Sequence, residues 1–367
     1  MRGFKIRLVL NIDLNNIYKN CKTIKNNING SKLCAVVKAD AYGHGMLKVC
    51  NKIQKLADFF AVATAGEAKA CRENFQDANI LLLSGFENFE AEFLVKNNIH
   101  LTVFDFKTIY LLDKIAKKLN LKCFVHVKFD SGMNRLGYKT KHERNNIIKA
   151  LRECDNVVLK GIYTHFPSGG IKHREMLLNE KFKFENEIKY FKNFENLIIH
   201  AAATGTAFLN LGLTYDMVRV GLGIYGLNAN DDYKTHLGLV PSLELKAKIL
   251  QVKKVKKHDT IGYNYNYTVS SDGKIAVIAC GYADGFFRSN SNAGTVVIGN
   301  KAFRICGNVC MDLFMADCSG SKNTKFAYLI SEKYKDYIGI EAVAKRNNTI
   351  PYEIMTSLKR CERVYHG

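Results

Sequence analysis

The chain has 367 residues, with 54 Lys and Arg against 34 Asp and Glu, a net charge of +20. That length buries a large core and suits two domains, and the cations are scattered except at Lys253-Lys254-Val255-Lys256-Lys257, which argues against a nucleic-acid partner and toward anionic small ligands. No apolar run is long enough to span a bilayer, the start Met1-Arg2-Gly3-Phe4-Lys5-Ile6-Arg7 builds no signal-peptide core, and eleven cysteines without a disulfide framework fit a reducing compartment, so a soluble cytoplasmic protein is expected.

In chain order, residues 5–12 alternate like a strand and precede a first helix at 14–26, which places that strand with the sheet of a second domain. Short apolar runs then alternate with helical stretches at 33–37, 59–63, 79–83, 100–104, 123–129, 158–164, 197–202 and 217–220. Eight βα-type repeats in roughly 225 residues are the arithmetic of a (β/α)8 TIM-type barrel, and an open doubly wound sheet uses fewer strands. Barrel enzymes keep their chemistry at the C-terminal strand ends. The capable residues just after these runs are Lys38, Lys128, Asp130, Arg135, His165, Thr204 and Arg219.

From about residue 239 the pattern turns to strands without long intervening helices, at 243–255, 275–279, 295–298, 303–306 and 313–317. This is a mainly antiparallel β domain, so the expected division is 1–238 and 239–367. Cys306, Cys310 and Cys318 lie among apolar residues with no histidine at ligand spacing, and they read as buried thiols without a metal.

Lys38 follows the first barrel strand in Val36-Val37-Lys38-Ala39-Asp40-Ala41-Tyr42-Gly43-His44-Gly45. An amine condenses with an aldehyde only when neutral, and an apolar strand end near other cations lowers its pKa toward that state. On spacing alone Lys38 also suits an ordinary surface lysine. In His126-Val127-Lys128-Phe129-Asp130-Ser131-Gly132-Met133-Asn134-Arg135, alternation puts His126, Lys128 and Asp130 on one face, toward the barrel interior. The Gly-rich turn after Arg219, Val220-Gly221-Leu222-Gly223, can offer the backbone N–H groups of Gly221 and Leu222 to a phosphate.

These motifs resemble those of the alanine racemases, fold-type III enzymes that use pyridoxal phosphate (PLP), and the likeness runs in order over nearly the whole chain. It implies that Lys38 anchors PLP and is one of two opposed bases, and that Tyr263 in Ile261-Gly262-Tyr263-Asn264 is the other, with Tyr265 and Tyr267 as rivals. It implies a homodimer, because the family tyrosine comes from the partner subunit. Arg219 faces the pyridine nitrogen and, as a permanent donor, keeps it unprotonated; Tyr42, Thr204, Gly221, Leu222 and Tyr352 hold the phosphate. Arg135 and Met311 take the substrate carboxylate, Tyr282 stands at the substrate entrance, and His165 orients its neighbours, with Asp312 in support. Lys128 is carbamylated to hold Arg135 or else paired with Asp130. Two positions depart from the family pattern, Ala203 for asparagine and Asn308 for arginine, and Thr204 stands where serine is usual. The implied activity is interconversion of L- and D-alanine, supplying D-alanine for peptidoglycan. A racemase of serine or several amino acids, and a noncatalytic PLP-binding protein, are the alternatives.

Overall fold

The apolar run after Arg7 forms β1 (Leu8–Asp13), and the chain turns directly into the helix Leu14–Asn26, whose Ile17, Cys21 and Ile24 are buried at the i, i+4, i+7 spacing of one helix face. This is a computed structural model that describes residues 7–167, 173–209, 211–228 and 237–367. The first residues of the strand expected at 5–12, and the rest of the start at 1–4, lie outside the described residues.

Eight parallel strands close into a barrel in chain order: β2 (Lys32–Val36), β3 (Phe59–Val62), β4 (Ile80–Leu82), β5 (His100–Val103), β6 (Cys123–Lys128), β7 (Val157–Tyr163), β8 (Ile198–Ala203) and β9 (Met217–Val220). Each agrees within one or two residues with a run expected from the βα count. Such strands are covered on both faces, so they read as continuous apolar runs. Return helices start at defined caps: Thr64 and Glu67 form a capping box for Ala65–Asn74, as do Thr140 and Glu143 for Lys141–Glu153. The closing pair β2–β9 sets Cys34 opposite Arg219, so the ends of the first and last barrel strands are neighbours.

The remaining strands form the antiparallel domain: β10 (Leu243–Val255), β11 (Thr260–Ile261), β12 (Tyr267–Thr268), β13 (Gly273–Ile278), β14 (Thr295–Ile298), β15 (Lys301–Cys306), β16 (Phe314–Asp317), β17 (Phe326–Ile330) and β18 (Glu362–His366). Its main sheet has the order β13-β16-β15-β14-β17-β10-β1-β18, and β10 also pairs with β13. β1 runs antiparallel to β10 and parallel to β18. Among the described residues, contacts group β1 and residues 42–44 with the chain from Pro241 onward, and residues 16–41 and 45–240 into the barrel unit. Cys306 and Cys318 are buried, Cys310 is half-buried, and all eleven thiols are free.

Candidate active site

Lys38 lies two residues past the first barrel strand and opens a left-handed turn. Ala39, Asp40, Ala41 and Tyr42 have φ of 51, 53, 54 and 53°. Left-handed helical geometry costs an L-residue roughly 1–2 kcal/mol, so four in succession persist only where surrounding bonds impose them. Those bonds are present. Glu67 accepts the Ala39 N–H at 2.6 Å and the Ala63 N–H at 2.8 Å, tying together the ends of β2 and β3. Asp40 accepts the Met46 N–H at 2.7 Å through its carboxylate and the Gly45 N–H at 2.9 Å through its carbonyl. Gly43 completes the turn at φ 84°, and a Cβ there would run into the Met355 carbonyl.

Around Lys38 the barrel unit gathers cations. Burial, then the Arg135 guanidinium, lowers the Lys38 amine pKa against a smaller opposing pull from Glu67. Burial, with Arg219 and Arg135, brings Lys128 down to about 8. Its ammonium lies 5.3 Å from the Tyr163 ring centre, and the Arg219 guanidinium lies 5.1 Å from the same ring. Asp130 serves the loop that carries Arg135: its carboxylate accepts the backbone N–H groups of Gly132, Asn134 and Arg135 at 3.0, 3.0 and 3.1 Å. Arg219 is buried and donates to His200 Nδ1 at 2.8 Å, to the Thr164 and Ala201 carbonyls at 2.8 and 2.9 Å, and to His165 Nδ1 at 3.3 Å. Burial and the cations Arg219, Arg135, Lys128 and Lys38 hold His165 at about 3, so it stays a neutral acceptor. Thr204 Oγ1 accepts the N–H groups of Gly221 and Gly223, both at 3.3 Å, where Leu222–Tyr225 begins a 3-10 turn.

The other candidates belong to the second unit. Tyr42 and Tyr352 stand with ring centres 5.6 Å apart, and burial raises both phenol pKa values, which keeps them hydrogen-bond donors. Tyr263 is 71 % exposed and Tyr265 79 %. The Tyr263 backbone sits on an asparagine ladder: Asn308 Nδ2 donates to the Tyr263 carbonyl at 2.9 Å, Asn266 Nδ2 donates to Asn308 Oδ1 at 2.7 Å, and Asn292 Nδ2 donates to the Asn266 carbonyl at 2.8 Å. Tyr282 and Ala283 donate their N–H groups to the carbonyls of Cys310 and Met311, both at 3.0 Å, and Gly281 leaves room for that approach. Asp312 joins an ion cluster, with its carboxylate 3.1 Å from Arg360 and 3.8 Å from Arg7, beside an Arg7–Asp284 pair at 2.7 Å.

Three contributors were not singled out from the sequence: Glu67, Tyr163 and His200. Glu67 carries a capping-box signal, but only the pairing of β2 with β3 brings it to Ala39. Tyr163 and His200 look like ordinary strand residues, and their rings stack at 4.6 Å only because β7 and β8 are paired.

The sequence matches two family models, "Alanine racemase, N-terminal domain" over residues 12–229 and "Alanine racemase, C-terminal domain" over 242–365. It is 34 % identical over 361 residues to alanine racemase 2 of Oceanobacillus iheyensis, covering 96 % of this chain and 92 % of that one. The structure is similar to alanine racemase of Clostridium difficile 630, with TM-score 0.92, 31 % identity and coverage of 99 % of this chain and 97 % of that one. It is also similar to Bartonella henselae alanine racemase with covalently bound pyridoxal phosphate, with TM-score 0.87, 27 % identity and coverage of 98 and 99 %.

Proposed function

The chain belongs to the alanine racemase family, and from that premise we propose that it interconverts L- and D-alanine with pyridoxal phosphate, using Lys38 and Tyr263 as opposed bases in a homodimer that provides D-alanine for peptidoglycan. Eleven free thiols support a reducing compartment, the cytoplasm.

The residues fit that cofactor. An amine with a lowered pKa stands just past a barrel strand end, Arg219 is a buried donor with no carboxylate within ion-pair distance among the described residues, and Thr204 with the Gly221–Leu222 backbone forms a turn suited to a phosphate. Lys38, Arg219, Thr204, Gly221, Leu222, Tyr42 and Tyr352 would hold the group. Bound pyridoxal phosphate supplies an aldehyde for an amine and a ring that draws electron density from the substrate Cα.

Racemisation removes a proton from one face of Cα and returns one to the other, so two acid/base groups must flank it. The Lys38 amine handles the proton of the D-face, its neutral form favoured by burial and by Arg135. The Tyr263 phenol handles the L-face, and its high exposure on its own unit suits a base lent to another copy of the chain. Arg135 and the Met311 N–H take the substrate carboxylate, and Tyr282 stands at the entrance. His165 stays neutral and orients the guanidinium of Arg219. With its pKa at about 8, Lys128 has a sizeable free-amine fraction near neutral pH, which is the form that carbamylation requires. Asp130 is occupied with the Arg135 loop, which supports the carbamate over a direct pair.

The observation that carries this reading is the Lys38 amine at the strand end, depressed by burial and by Arg135. Incubation with pyridoxal phosphate and L-alanine in D2O should yield D-alanine with deuterium at Cα. Retained protium with no D-alanine refutes it. Lys38→Ala should abolish racemisation, and Tyr263→Phe should lower it by roughly 10²–10⁴-fold while leaving cofactor retention intact. A comparison of L-alanine, L-serine and L-lysine turnover separates an alanine enzyme from a broader racemase.

A further inference from the structure

The buried guanidinium of Arg219 is solvated by neutral acceptors, and one of them begins a chain. His200 Nδ1 takes the Arg219 Nη1 hydrogen bond at 2.8 Å, His126 Nδ1 lies 2.9 Å from His200 Nε2, and His100 Nδ1 lies 3.0 Å from His126 Nε2. Arginine has N–H donors and no acceptor. His200 Nδ1 must therefore be bare, which puts the His200 proton on Nε2, where it is donated to His126 Nδ1. The same constraint passes to His126 and then to His100, because a neutral imidazole has one donor and one acceptor.

We propose that His100, His126 and His200 form a one-way hydrogen-bond chain, each ring carrying its proton on Nε2, and that this chain is the uncharged partner that positions Arg219. His100 and His126 are thereby positioning residues although neither touches Arg219. The consequence for catalysis rests on the role proposed for Arg219 above; the proton positions do not.

The fold builds the chain. Gly161 lies against the His126 ring, and a Cβ there would stand 2.5 Å from His126 Nδ1. The His200 ring is stacked 4.6 Å from Tyr163, and His100 meets the Phe59 ring edge-on at 5.2 Å. The charged groups that act on the rings are cations: Lys160 and Arg72 on His100, Arg219 on His126, and Arg219 with Lys128 on His200. Together with burial they oppose a second proton on any ring. Aligned neutral imidazoles present a lone pair to the guanidinium and leave its full charge in place. A carboxylate in the same position would cancel that charge, and an imidazolium would repel it.

Nitrogen-15 NMR of the histidine-labelled holoenzyme, assigned by single His→Asn variants, reads the proton positions directly. Three neutral Nε2–H rings from pH 6 to 9 are the expected result. An Nδ1–H tautomer or an imidazolium at any of the three overturns the chain, and this measurement on the wild-type protein needs no variant to fold.

The positioning role is tested at His100, the far end. His100→Phe removes the acceptor for His126 Nε2–H and should lower kcat and cofactor retention about tenfold, with KM for alanine within about twofold. His100→Asn restores an acceptor oxygen near the Nδ1 position and should recover most of that loss. A His100→Phe protein equal to wild type, or an Asn variant as impaired as the Phe one, overturns the role. An inactive protein that shows three Nε2–H rings refutes the proposed activity and leaves the chain standing.

Discussion

Tyr263 carries its phenol on a short segment whose backbone is held by side chains from elsewhere in its unit. Gly262 at φ 82° and Asn264 at φ 57° shape the segment, and the Asn308 amide holds the carbonyl between them. Asn308, at the position where the motif resemblance implies an arginine, reaches this backbone with support from Asn266 and Asn292. Asn308→Leu removes the donor to Tyr263 and leaves the Asn266 amide without its acceptor. Loss of one such hydrogen bond should lower kcat/KM about tenfold, and the loss should vanish in a Tyr263→Phe background, where the positioned group is gone. Steady-state kinetics of the four proteins checks this. An equal effect in both backgrounds would assign Asn308 to folding alone.

At the scale of elements, the barrel's strands and its chemistry obey different rules. β2 through β9 are apolar runs whose burial explains them, whereas the turn after β2 contradicts local preference at four consecutive residues. Glu67 and Asp40 impose the turn, which begins directly after Lys38. Ala39 is exposed within it, so glycine there relieves the left-handed penalty without opening a cavity. Ala39→Gly should raise the unfolding free energy by about 1 kcal/mol, read as a higher urea midpoint at unchanged slope. A lower midpoint would mean that the turn is not left-handed in solution. The asparagine at 264 and the glycine at 43 hold positive φ in the same way and are not free choices.

For the molecule as a whole, buried neutral histidines link stability to pH. His100 is held at about 4 and His165 at about 3, and His126 and His200 lie well below their ordinary value, all mainly through burial. The unfolded chain takes up these protons near pH 6.5 and the folded one does not, so stability is complete above that pH and falls as pH drops toward 4. Each histidine contributes a slope of roughly 1.4 kcal/mol per pH unit in that window. Urea unfolding at pH 7.5, 6 and 5 should show the decline, and a flat profile would contradict it. The βα repetition, the five antiparallel strands β10, β13, β14, β15 and β16 and the order of the site motifs were all legible because each depends on a short run of residues. β17 was not singled out, since a short apolar run does not declare strand over helix. β18 is a charged edge strand, and the two-residue strands β11 and β12 are too short to show a period. By itself the sequence determined the barrel, the lysine at the end of its first strand and the tyrosine of the second unit, because local pattern and motif order carry them. Only the tertiary structure decided the left-handed turn held by Glu67, the asparagine ladder under Tyr263 and the three-histidine chain behind Arg219, because each joins side chains that become neighbours only when the strands pair or the barrel closes.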